Sequence, residues 1–476
     1  MQLLLLIGCS LRLLHHLTNR SLWYDEAMLA INFIQRDFLG LLSPLEYQQQ
    51  APLLYMWSER ALVELLGHLE YVLRFPSLLA GLLSLWLFRS CLRHFLSPPF
   101  QLWAMAFFVF SQPLVFYAAE LKQYSFDLAV ALLLLHWSLQ IRSGKRALWA
   151  LGLGGIIGLL CSMPAIFGLA SCGTYLLVVY LRKKELGHLW RLLFWGAIWL
   201  LVFGANYWVL LRPETAQAHV MEYHRPYFMP LSFWEWSSWK WYAKSYFGSF
   251  RDLGGILFKH PAGLLALLGM AVGWRRKKGL LFLLLCPMLL AYGASAVEKY
   301  STLSRLMLFT TPAWLILLGL GMQYLDEVVQ QRWTSPWSAW PVRLLGIVLM
   351  IQPVLNSVHR LVDGHEISAF RKTMAFVETH KKPGDVFYIH PGARPQFRYY
   401  RLQFPLEDLS IQHSTLVRKD WQAAFQKHKG RGWVIFGQFG EYELEYSRYL
   451  ERIGGQKLLE CRVRGSVCYL YEWNNE

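Results

Sequence analysis

The sequence predicts a polytopic α-helical membrane protein of about eleven transmembrane helices, ending in a small extracytoplasmic α/β domain. Three observations predict it. Hydrophobic residues make up 55% of the 476 residues and charged ones only 16%, against about 25% charged in soluble domains. Apolar runs long enough to cross a bilayer recur through residue 360. Charge is also uneven, with 31 Asp, Glu, Lys and Arg in residues 361–476 but 47 in residues 1–360. The division therefore falls at 360, with a membrane domain before it and a polar domain over 361–476.

A span needs roughly 20 apolar residues. Spans are expected near 2–17, 72–88, 100–117, 124–141, 147–162, 165–181, 192–211, 255–273, 279–296, 306–325 and 342–360. Residues 147–181 carry no charge. As one helix they would reach about 52 Å, too long for a core of roughly 30 Å. The Ser162-Met163-Pro164 break therefore predicts a tight turn between two helices. The first residues lack a basic stretch and an Ala-x-Ala site, so no cleaved signal peptide is expected.

Lys and Arg set the orientation. Loops 89–99, 142–146, 182–191, 274–278 and 326–343 hold 15 in 49 residues, whereas the opposite loops hold 13 in 125. The denser set is expected on the cytoplasmic side. The long loops 18–71 and 212–260 and the C-terminal domain then face outward from a cytoplasmic (inner) membrane. The net charge of +16 is dispersed among these loops, which argues against nucleic acid as a partner and leaves the lipid bilayer. Residues 223–250 hold 12 aromatics and read either as an interfacial anchor or as the wall of a substrate groove.

In the C-terminal domain, VFYIH (386–390) and WVIFG (433–437) read as buried strands. Residues 366–380 and 441–453 read as helices, and 457–473 as a closing hairpin. A turn at Arg464-Gly465 would put Cys461 opposite Cys468. A disulfide and two separate thiols are both open there.

Ionisable groups beside membrane spans are functional candidates by default. Asp25, Glu26, Arg74, Glu120, Lys122, Glu298, Lys299 and Arg305 all map to the outer face, from four distant segments. Carboxylates and cations that converge at headgroup level suit a lipid phosphate carrying a sugar. Lys122, Arg305, Arg74 and Lys299 are the candidates to bind the phosphate. A phosphate is a good leaving group that needs cationic stabilisation more than a proton. One carboxylate as general base for the acceptor then suffices, and Asp25 is the candidate. Each residue also has a plainer reading. Asp25 and Glu26 suit a helix cap, Arg74 and Arg305 suit snorkelling, and Glu120, Lys122 and Lys299 suit a solvated loop.

The order of motifs resembles a known family. SLWYDEAM (21–28), QQAPLLYMW (49–57), LRFPSLLAGLLSL (73–85), YAAELKQYSFDL (117–128), SRLMLFTTPAWLILL (304–318) and KPGDVFYIHPGARPQFRYY (382–400) are similar, in sequence order, to segments of the GT-C glycosyltransferases of the protein O-mannosyltransferase and aminoarabinose transferase superfamily. The resemblance implies transfer of a sugar from a polyprenyl-monophosphate donor to an extracytoplasmic acceptor, with inversion. It implies Asp25 as base or acceptor-positioning carboxylate. Glu26 would be a helper for the acceptor or for a divalent metal, Lys122 stands in place of the family Arg, and Arg305 would contact the donor phosphate. Glu120, Tyr124, Gln50, Glu298 and Tyr300 would support them. Gln50-Ala51 departs from the basic residue or His followed by Pro that relatives carry, so no metal ligand set is assigned. The acceptor, whether protein, lipid or glycan, is not legible.

A lipid or sugar transporter is the alternative from another class. Transporters carry repeats and broken or charged spans at mid-membrane. Here the mid-span positions are mostly apolar and the charges gather on one face, which favours an enzyme.

Overall fold

The computed structural model describes residues 1–141, 145–211, 217–333, 338–362, 366–404, 410–413, 430–437 and 441–473. Each of the eleven expected spans falls on a helix or a broken helix. These are α1 (Gln2–Leu17), α5 (Phe75–Leu92), α6 with α7 (Pro98–Phe110 and Gln112–Tyr117), α8 (Tyr124–Gln140), α9 (Lys145–Cys161), α10 (Ala165–Lys183), α11 (Leu186–Asn206), α14 (Lys259–Arg276), α15 (Lys278–Ala296), α16 (Thr311–Arg332) and α17 (Trp340–Val362). Among the described residues, six segments are long and apolar enough to cross a membrane on those grounds alone: Phe75–Leu92, Ala165–Lys183, Leu186–Val209, Lys278–Ala296, Ser304–Arg332 and Trp340–Leu361. The expected turn is present, since α9 ends at Cys161 and α10 begins at Ala165. Proline suits the first turn of a helix, where its missing N–H is not needed.

Helix α16 is the spine of the bundle, with every residue from Thr311 to Met322 buried. It packs backbone to backbone on α14. A Cβ on Gly321 would stand 1.8 Å from the Leu265 carbonyl oxygen, and one on Gly269 would stand 2.0 Å from that of Leu317. Lipid gives no hydrophobic drive for helix pairing, so small residues that allow close approach set such contacts.

Between the spans, α2 (Tyr24–Gln35), α3 (Leu53–Leu66) and α4 (Glu70–Leu73) fill the first long loop. Helices α12 (Gln217–His224) and α13 (Trp236–Asp252) lie in the second. Trp234, Trp236 and Trp239 are exposed there, as expected of indoles at a membrane interface.

Beyond α17 come α18 (Phe370–His380), β1 (Val386–Ile389), α19 (Arg394–Tyr400), β2 (Ser410–His413), β3 (Gly430–Gly437), α20 (Glu441–Arg452), β4 (Gly455–Val463) and β5 (Ser466–Trp473). The strands form one sheet in the order β2-β1-β3-β5-β4. β1 pairs in parallel with β2 and β3, whereas β5 is antiparallel to β3 and β4. The closing hairpin turns at Arg464-Gly465 and sets Cys461 directly across from Cys468. Both are free thiols in this structure.

The sheet does not stand apart from the membrane part. Leu22, Phe33 and Tyr55, from the first long loop, share one apolar core with Phe370, Tyr400 and Trp433. Burial of that face joins the C-terminal unit to α2 and α3.

Candidate active site

The site lies where α2 starts. Trp23 is extended, and the helix begins at Tyr24 with Asp25 and Glu26 in its first turn, where acids complement the helix dipole. The two neighbours then part. Glu26 is buried and reaches back to accept the Trp23 backbone N–H at 3.3 Å. It also meets Arg74 as a two-pronged pair, with Nε to Oε1 at 2.8 Å and Nη2 to Oε2 at 2.6 Å. The Leu121 N–H donates to it at 2.8 Å. Burial, the largest influence, opposes its ionisation, but Arg74, Arg20 and the Leu121 N–H together hold the carboxyl below the usual range. Capping is therefore Glu26's role, and Asp25 is released from it.

Asp25 points to a partly open space. Its Oδ1 lies 3.1 Å from Lys122 Nζ and its Oδ2 lies 3.3 Å from Arg305 Nη1. Its side chain keeps 18% exposure, that of Arg305 24% and that of Lys122 6%. Burial raises its pKa, yet Lys122 and Arg305 together bring it below the ordinary carboxylate value. Lys122 also donates to Gln49 Oε1 at 2.9 Å.

Arg305 sits in the 3₁₀ turn Ser304–Thr310 that leads into α16. The Tyr300 hydroxyl donates to the Leu306 carbonyl at 2.7 Å, which fixes that turn. Tyr124 is buried with its ring edge-on to Tyr117. Glu120 is buried and accepts the Trp23 indole N–H at 2.8 Å. Its second oxygen has no partner among the described residues.

Sequence reasoning thus named the central trio, Asp25, Lys122 and Arg305, and the structure brings them together. Four other candidates lie elsewhere. Arg74 is closed off, because besides Glu26 it donates to the carbonyls of Arg20 at 2.6 Å and Ser21 at 3.2 Å. It braces the site and presents no free fork to a phosphate. Lys299 and Glu298 are exposed and make no contact with Asp25 among the described residues. Gln50 is exposed, and its neighbour Gln49 touches Lys122 instead. A one-residue register in a loop has no periodic signal to reveal it.

Sequence reasoning also missed the clamp on the stretch before Asp25. The Tyr400 hydroxyl accepts the Leu22 N–H at 2.7 Å and donates to Glu70 at 2.9 Å. Gln396 donates to the Leu22 carbonyl at 3.0 Å, and Arg371 to that of Asn19 at 2.9 Å. The C-terminal unit therefore holds the chain that leads into α2.

A metal fits this site poorly. Glu26 is occupied by Arg74, and two cations already lie within 3.3 Å of Asp25. Among the described residues no three His, Cys, Asp or Glu gather into a ligand set.

Glu120 gives a pH prediction. Burial first, and then the Glu26 charge, push its carboxyl up to about 8, so it is neutral at pH 7. An unfolded Glu titrates near pH ~4.3. A carboxyl whose folded value is raised contributes stability that is complete below the unfolded value. That contribution is lost as pH rises through about 8. Glu120→Gln is expected to flatten the fall in thermal stability between about pH 5 and 9. Unfolding midpoints across that range check it, and an unchanged slope refutes the assignment.

No protein-family profile matches the chain, and no curated protein matches it in sequence. Solved structures do match in shape. The crystal structure of ArnT from Cupriavidus metallidurans in the apo state superposes with a TM-score of 0.55, over 98% of this chain and 97% of that one, at 14% identity. The same protein bound to undecaprenyl phosphate gives a TM-score of 0.54 with the same coverage and identity. The fold implied by the family resemblance is the fold this chain has, along nearly its whole length.

Proposed function

We propose that the chain is an integral-membrane glycosyltransferase, which moves a sugar from a polyprenyl-monophosphate donor to an extracytoplasmic acceptor. The observation that carries this reading is one carboxylate held between two cations from distant segments. It sits in a fold shared with a protein solved with undecaprenyl phosphate bound. We place the protein in the inner membrane with the Asp25 face outward, an orientation that the Lys and Arg bias supports.

Chemistry follows from the trio. The acceptor O–H or N–H gives its proton to Asp25. The acceptor atom bonds to the anomeric carbon as the carbon–oxygen bond to phosphate breaks. The leaving polyprenyl phosphate takes the bonding pair, and Lys122 and Arg305 stabilise its charge. A single displacement inverts the anomeric centre. Without donor, the two cations hold Asp25 as a weak base. A phosphate that draws Lys122 and Arg305 toward itself makes Asp25 more basic, so base strength rises as the donor binds.

The test is release of polyprenyl phosphate from a panel of polyprenyl-phosphate sugars by purified protein in nanodiscs. Consumption of one donor with inversion is expected. Lipid movement across the bilayer with no donor consumed would favour the transporter reading. Arg305→Ala is expected to weaken donor binding about 10- to 100-fold, from the loss of one charge-assisted contact to phosphate. Arg305→Lys should recover part of it. An unaltered donor KM in Arg305→Ala would remove Arg305 from the donor site.

A further inference from the structure

On the Lys/Arg-rich face, opposite the Asp25 site, a second cavity opens between the ends of α5, α6 and α8. Its volume is about 820 Å³, within the range of small-molecule sites. Arg89 and Arg93 line it, one helical turn apart at the end of α5, together with Ser90. Both arginines are exposed. Neither forms an ion pair with a carboxylate among the described residues. Among the described residues, the one side-chain hydrogen bond on them is from Arg93 Nε to His94 at 3.4 Å. No Asp or Glu lines the cavity among the described residues.

The rest of the lining is mixed. Pro98 and Pro99 start α6, so the positive end of that helix faces the cavity. Trp86 lines it and is 54% exposed, and Leu102 is 43% exposed. Trp86 packs against His136, with ring centroids 5.7 Å apart. An apolar flank beside a pair of uncompensated guanidinium groups matches a ligand with a phosphate and an attached acyl region. Basic pockets between helix ends on this side of a membrane bind anionic lipid head groups in that manner. A soluble phosphate compound would match the arginines but leave Trp86 and Leu102 unexplained.

We propose that this cavity binds the phosphate head group of an anionic phospholipid from the cytoplasmic leaflet, with Arg89 and Arg93 as its ligands. The site is independent of the donor site, which lies on the other face.

The probe is phosphatidylglycerol. Full-length protein is released from nanodiscs of phosphatidylglycerol and phosphatidylcholine in equal amounts, and retained lipid is counted by native mass spectrometry. Preferential retention of phosphatidylglycerol is expected. Arg89→Ala/Arg93→Ala is expected to lower it on the order of tenfold, from the loss of two charges near the phosphate. Arg89→Lys/Arg93→Lys should keep most of it. Both positions are exposed, so the variants should fold, and thermal unfolding checks that they do. Lys240→Ala/Lys244→Ala, two exposed cations of α13 in the outer loop, is the control for lipid on the other face, and it should leave retention unchanged. Equal retention of both lipids, no loss in the double alanine variant, or loss in the control overturns the proposal. Displacement of the lipid by inorganic phosphate also overturns it, in favour of a soluble phosphate ligand.

Discussion

Asp25→Asn is expected to reduce sugar transfer on the order of 10³-fold while donor binding persists. A positioned base contributes about 10²- to 10⁴-fold. Asn keeps the size and one acceptor oxygen but takes no proton. The substitution also removes the negative charge between Lys122 and Arg305, which lie at 3.1 and 3.3 Å. Those cations then face the donor phosphate less neutralised, so donor affinity should hold or tighten. The result to look for is a collapse of kcat with an equal or lower KM. Full activity in a correctly folded Asp25→Asn protein would sink the mechanism. A rise in KM alone would recast Asp25 as a binding residue.

The second large effect is on folding, one residue along. Glu26→Gln leaves Arg74 buried with half of its fork unanswered, since the pair is only 1–2% exposed. Removing one partner of a buried ion pair costs about 3–5 kcal/mol, a large part of a typical total of about 5–15 kcal/mol. The variant is expected to unfold at a clearly lower temperature or to fail to accumulate. Arg74→Met should do the same. The double variant Glu26→Leu/Arg74→Met should recover some stability, because no lone charge remains buried. The Arg20 and Ser21 carbonyls still lose their donor in it, so recovery is expected to be partial. Thermal unfolding in detergent separates these outcomes. Wild-type stability in Glu26→Gln would show that the pair is not a brace. Adjacent residues thus predict opposite phenotypes, an inactive but folded protein at 25 and an unstable one at 26.

Much of this protein was legible in its sequence. Apolar length and the Lys and Arg bias act locally along the chain, so eleven runs could be placed on helices. The break at Ser162-Met163-Pro164 follows from helix length against bilayer thickness. The strands at 386 and 433 follow from short β-rich runs bounded by turns. Convergence of Asp25, Lys122 and Arg305 was also readable, since topology alone puts their three segments at one face.

What the sequence could not decide is who partners whom. Asp25 and Glu26 are equal as types, and only the start of α2 at Tyr24 sends one back to Trp23 and Arg74 and the other toward the cations. Arg74 looked like a phosphate ligand until its donors were found on Glu26, Arg20 and Ser21. Gln49 rather than Gln50 meets Lys122 because of a loop register. The hold of Tyr400 and Gln396 on Leu22 joins positions more than 370 residues apart. Hydrogen-bond partners are chosen by distances of about 3 Å and by angle. Those distances are set when remote segments pack together, whereas burial, span length and sidedness are set by the local run of residue types. The sequence by itself therefore determined the bundle and the face on which the charges gather, and the tertiary structure decided which of them is left free to act.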